Sequence, residues 1–301
     1  KIIVKHLIDR DYKDEIDSSN SFTEKIIKLA YLYRERLISL VTNWMRVGYC
    51  QGNFNSDNCA AGGFTLDYGP FGFCELFDPR FQPWTGGGEH FSFFNQPFAA
   101  EINFKMFCTS LRPLLVENKE DIEKLEQIKN DFSKSMEKEM QLMWAKKIGL
   151  EKYEEALINE LLNLMVTSKV DFTIFFRKLS HIPDNISFLK DSFYLALTED
   201  LVKEWNIWIT KWHYCIKKNG DPKEISKSMK QVNPKFTWRE WMIVPAYEEA
   251  EEGNYSRIKE LQTIFNNPYE EQSLEIEQKY DRLKPSQFFN NGGISHYSCS
   301  S

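Results

Sequence analysis

The chain has 301 residues, 42% hydrophobic and 27% charged, with 14 Gly and 11 Pro, so it can bury a real core and is neither disordered nor collagen-like. Its formal net charge of −6 repels phosphate backbones, which argues against nucleic acid as a partner. No stretch reaches the roughly 18 consecutive apolar residues of a spanning helix, so no membrane partner is expected either.

Ser21 and Glu24 have the spacing of a capping box, and Ile26, Leu29, Ala30, Leu37, Ile38, Val41, Trp44 and Met45 recur with helical period up to Gly48. One long amphipathic helix is predicted, C-capped by Gly48. Residues 49–95 then turn rich in Gly, Asn, Asp, Pro and Phe and lose that period. Helical signals return over 97–115, along a mixed-charge run 119–147, and over 152–167 and 170–179. Further helices fit 195–218, 234–252 and 255–265, with an irregular tail from Pro285. Trp205, Trp208 and Trp212 form a helical stripe that reads as core, and the run 119–147 reads as solvated helix with i,i+4 pairs. Six cysteines without CxxC spacing read as reduced thiols rather than a disulfide framework or zinc site. No repeat or linker divides the chain, so 1–301 reads as one mostly helical unit.

The chemistry concentrates between Gly48 and Pro79. Residues 59–66 (CAAGGFTL) suit two very short strands joined by a Gly62-Gly63 turn. In that register Leu66 opposes Cys59 and Asp67 opposes Asn58, with Cβ atoms roughly 5 Å apart. A carboxylate and an amide oxygen so paired form a partial shell for Mg²⁺ or Mn²⁺, completed by water and substrate phosphates. Asp57, pointing elsewhere, is free to take a proton from an attacking hydroxyl. The alternative, in which Asn55, Asp57 and Asn58 merely cap turns, stands beside it. The glycines of 82–90 (QPWTGGGEH) lack the strand and Lys-Ser/Thr of a phosphate loop and read as surface.

The segments GNFNSDN (52–58), DYGPFGF (67–73), FDP (77–79), FFNQPFAAEINF (93–104), NPKFTWREW (233–241) and the terminal SCSS (298–301) together resemble the selenoprotein O family of kinase-like protein adenylyltransferases. The resemblance implies a mostly α fold. A protein-kinase-like C-lobe would span about 1–180, with a short β-hairpin at the metal site, and a helical extension about 181–301. It implies that AMP passes from ATP, with Mg or Mn, to a Ser, Thr or Tyr hydroxyl of a protein substrate. Asp57 would be the catalytic base, Asn58 and Asp67 the metal and nucleotide ligands, and Cys299 a redox-active thiol, with Cys74 the nearest candidate partner. Gln51 stands where many relatives have His. The family's nucleotide-binding lobe lies upstream of this loop, and the 56 residues before Asp57 do not read as it, so the chain is expected to be a carboxy-terminal portion, inactive alone. A mitochondrial location is implied, with cytoplasmic as the alternative. A conventional phosphotransferase and a non-catalytic helical interaction module remain the competing functions.

Overall fold

The computed structural model describes residues 1–84, 88–115 and 119–289. Thr85 to Gly87 of the glycine-rich stretch, and Cys299 with its tail, lie outside the described residues. The fold is mostly helical, as expected. A short helix α1 (Ile2–Leu7) runs on through a π turn to Tyr12 and leads into α2 (Phe22–Val47). The Ser21 hydroxyl accepts from the Glu24 amide and the Glu24 carboxylate accepts from the Ser21 amide, so both halves of the capping box form. Gly48 ends the helix at φ +80°, the left-handed conformation that glycine adopts without strain.

The apolar stripe of α2 is buried along its length by α3 (Gln96–Leu111), α4 (Lys119–Asn130) and α5 (Phe132–Lys147). The single charged run therefore folds as two helices. A turn at Asp131 lets Leu125 on one side and Phe132 and Met136 on the other all reach the core around α2. The expected i,i+4 pairs are present in Lys119–Glu123 and Lys124–Glu120. Then follow α6 (Glu155–Thr167), α7 (Phe172–Leu179) and α8 (Glu199–Asn219). Trp205, Trp208 and Trp212 are fully buried, and their indole N–H groups donate to Ser168 Oγ, Leu157 O and Ile148 O. A core stripe is what the spacing predicted, and burial is affordable because each polar handle is satisfied.

Beyond Gly220 the sequence reading was incomplete. A helix α9 (Pro222–Val232) starts with Asp221 accepting from the Lys223 amide, and 233–239 is extended, so α10 begins only at Glu240 and ends at Glu251. The extended stretch is held by Lys235 and Phe236 amides donating to Pro268 O. With α11 (Ser256–Asn266) and α12 (Leu274–Tyr280), this region gathers a second apolar cluster around Phe236, Trp241, Met242, Leu261, Ile264 and Tyr280. Buried Arg239 ties it to α7 through Asp171. Among the described residues no helix is long and apolar enough to cross a membrane.

Candidate active site

The loop 51–71 is framed by two strands too short to show in the sequence, β1 (Tyr49–Cys50) and β2 (Gly72–Phe73), paired antiparallel with Tyr49 opposite Phe73. Helices pin the loop from behind. Gln96, wholly buried in the NQP segment, accepts from the Gln51 amide and donates to Tyr49 O, and Asn103 about two turns later on α3 donates to Phe54 O. From the other side Tyr12 donates to Ala61 O, Arg36 to Gly62 O and Trp44 to Thr65 Oγ1. An irregular segment thus has its main-chain groups satisfied by side chains of three helical elements.

The predicted hairpin register does not form. The turn closes one residue earlier, with Gly63 N donating to Ala60 O, and Cys59 pairs with Thr65 in an isolated bridge. Only Gly63 takes a positive φ, +75°, so the two-glycine turn that would set Asp67 across from Asn58 is absent. The cause lies outside the turn: the carbonyls of Ala61 and Gly62 are taken by Tyr12 and Arg36, which fixes the turn.

Asp67 and Asn58 are instead related through the loop ends. Gln51 Nε2 donates to Asp67 O at 2.7 Å, and its Oε1 accepts from Tyr49 OH at 2.5 Å. The next residue, Gly52, lies so close to Pro70 that a Cβ there would come within 2.0 Å of the Pro70 carbonyl oxygen. The strip leading to Asn58 and the strip holding Asp67 therefore run side by side at their bases. Asp57 is exposed in the 3₁₀ turn Ser56–Asn58, while Asn58 and Asp67 are half-buried.

Asn58 spends its Nδ2 on Asn53 O at 3.2 Å, and Asp67 spends Oδ1 on the Gly69 amide at 2.8 Å. Each keeps one oxygen without a protein partner among the described residues, a donor type that suits a hard cation. No group of three His, Cys, Asp or Glu that could hold a metal occurs among the described residues, so such an ion would take its other ligands from water and phosphate. What sequence reasoning missed is the frame: Gln96, Asn103, Tyr12 and Arg36 position the loop from elsewhere in the chain. Cys74, the named candidate partner of Cys299, is buried at 1% exposure, and burial pushes its thiol well above the ordinary range. Cys50, Cys59, Cys74, Cys108 and Cys215 are all unpaired thiols.

Comparison with known proteins bears on the same region. A family model described as protein adenylyltransferase SelO matches residues 1–266. The chain is 32% identical over 277 residues to the protein nucleotidyltransferase YdiU of Aromatoleum aromaticum, covering 89% of this chain and 52% of that protein. It is 30% identical over 310 residues to the YdiU of Methylobacillus flagellatus, covering 99% and 58%, and 30% identical over 276 residues to that of Flavobacterium johnsoniae, covering 87% and 52%. The chain thus spans about half the length of the curated relatives it matches. These relatives are bacterial and lend no support to a mitochondrial location.

Proposed function

This chain belongs to the protein adenylyltransferase SelO family, and from that premise we propose that it carries the catalytic loop and metal ligands of an enzyme that transfers AMP from ATP to Ser, Thr or Tyr hydroxyls of protein substrates. Asn58 and Asp67 hold Mg²⁺ or Mn²⁺, Asp57 takes the proton of the attacking hydroxyl, and pyrophosphate leaves. The metal, when bound, neutralises the polyphosphate. The protein's own part is to hold the two ligands in place and keep Asp57 open to an incoming chain. The architecture is read as the C-lobe of a kinase-like fold, with Cys299 as a redox-sensitive thiol.

The observation that carries this reading is the pair of oxygens left over on Asn58 and Asp67 after each side chain has been fixed by one internal hydrogen bond. Exposed Asp57 on the adjoining turn adds the base. Because the chain covers about half of its relatives' length, it is expected to bind Mg-ATP weakly alone. The activity is tested in a polypeptide of the relatives' full length carrying these 301 residues. Mass spectrometry of protein acceptors incubated with Mg-ATP distinguishes an AMP adduct, expected here, from a phosphate adduct or none, either of which refutes it.

A further inference from the structure

Lys223, Lys227 and Lys230 follow one another at i, i+4 and i+7 on α9 and so share one face, about 10 Å long at 1.5 Å per residue. Together with Arg177, Ser226 and Tyr269 they line an open cavity of about 630 Å³. None of the three lysines has an ion-pair partner among the described residues. On other helices Lys119, Lys124, Lys129, Lys203 and Lys211 each meet a carboxylate. Like charges at these spacings oppose one another along the helix.

The floor of the cavity strengthens its charge. Arg177 is 4% exposed; its Nη groups donate to Lys230 O, Asn233 O and the Glu271 carboxylate, and its Nε is buried with no partner. Two carboxylates line the cavity, Glu270 and Glu271. Glu271 is already bound by Arg177 and Lys235. Desolvation pushes it up, but those two partners outweigh it and bring it down to about 2. Close by, desolvation and then the charges of Lys230, Arg177 and Lys235 hold His181 below the ordinary imidazole range.

We propose that this face of α9 binds a short acidic segment of a partner polypeptide, its Asp and Glu carboxylates meeting Lys223, Lys227 and Lys230. The net charge of −6 repels long polyanions and anionic surfaces, so a basic strip about 10 Å long selects a short stretch rather than a duplex or a membrane. Ser226 donates its O–H to Ser180 O, while Tyr269, whose oxygen accepts from Arg46, keeps an O–H to donate to a peptide. The site is independent of the catalytic reading, and its test uses no nucleotide.

Titrating a fluorescein-labelled ten-residue poly-glutamate peptide with the 301-residue chain, followed by anisotropy, should give saturable binding that weakens with added salt. The triple variant K223Q/K227Q/K230Q should bind at least about tenfold more weakly, a difference of about 1.4 kcal/mol. Gln has a helix propensity close to that of Lys, and circular dichroism checks that α9 persists. A control triple, K190Q/K203Q/K217Q, removes the same charge elsewhere and should bind like the wild type. Absence of saturable binding, unchanged affinity in the first triple, or equal loss in both triples overturns the proposal. So does binding of inorganic tripolyphosphate without binding of the peptide, which would mark a small-oxyanion pocket.

Discussion

The side-chain amide of Gln51 and the main-chain oxygen of Asp67 are joined by a 2.7 Å hydrogen bond across the base of the loop. Gln51 is 1% exposed, and its two side-chain polar atoms and its amide are all used: Nε2 on Asp67 O, Oε1 on Tyr49 OH, and the amide on Gln96 Oε1. It sets where Asp67 stands relative to the 52–58 strip. The neutral amide makes one tie as donor and one as acceptor, without a titratable ring.

Gln51→Ala should therefore destabilise the chain by about 1–3 kcal/mol, the range for leaving buried polar partners unsatisfied. Urea unfolding measures it. Gln51→His should cost less, since one ring nitrogen can donate to Asp67 O; an equal loss in both variants would mean that volume, not the donor, matters.

Gly52→Ala tests the other tie. The added Cβ would stand 2.0 Å from a backbone oxygen of Pro70, which cannot turn aside as a side-chain end can. The two strips must separate, at a cost at or above the roughly 1–3 kcal/mol of an overpacked core. Hydrogen exchange should report faster opening of loop amides in this variant, with α2 unaffected.

How much was legible from sequence follows from where each signal lives. The 26 residues of α2 carry their period, their capping box and their C-terminal glycine in one local stretch, and all three were read correctly. The break at Asp131 has no Gly or Pro to announce it, because it is set by what α4 and α5 both bury against α2. α9 was missed although Asp221-Pro222 is a local start signal; its polar, lysine-rich face diluted the period. The hairpin at the site failed for a non-local reason, since Tyr12 and Arg36 take the turn carbonyls from 49 and 26 residues away.

Asp171 and Arg239 form a buried two-armed ion pair at 3.1 and 3.2 Å, with Tyr194 OH and the Ile174 amide completing the carboxylate's bonds. Arg239→Met should cost about 3–5 kcal/mol by stranding Asp171 in the interior. Adding Asp171→Asn should recover a large part of that loss. A double-mutant cycle in urea checks it, and additive losses would show that the pair does not act as a unit.

Glu75 has a buried Oε2 with no partner, and desolvation raises its carboxyl to about 7 against the opposing charges of Arg239 and Lys284, with Asp171 and Glu240 adding to the rise. The folded chain then holds a proton that the unfolded chain has released from about pH 4.5 upward. The sign follows: this group's contribution is full below that pH and is lost as pH rises through about 7. Glu75→Gln should match the wild type near pH 4 and exceed its stability by about 3 kcal/mol at pH 8. A difference that does not change with pH would mean that Glu75 is ionised throughout.

Asp57 and Asp67 should fail in different ways if their proposed roles are right. Asp67→Asn removes the one charged ligand of the cation and keeps an acceptor for the Gly69 amide, so the fold should hold while the metal requirement rises steeply. Asp57→Asn touches neither ligand and leaves an exposed turn intact. In the full-length polypeptide it should lower kcat by about 10²–10⁴, the usual contribution of a general base, with little change in the Mg-ATP concentration at half-maximal rate. Steady-state transfer assays at varied Mg²⁺ separate the two. If Asp57→Asn instead raised the Mg²⁺ requirement and left kcat unchanged, Asp57 would be a third ligand and the proton would have to go elsewhere.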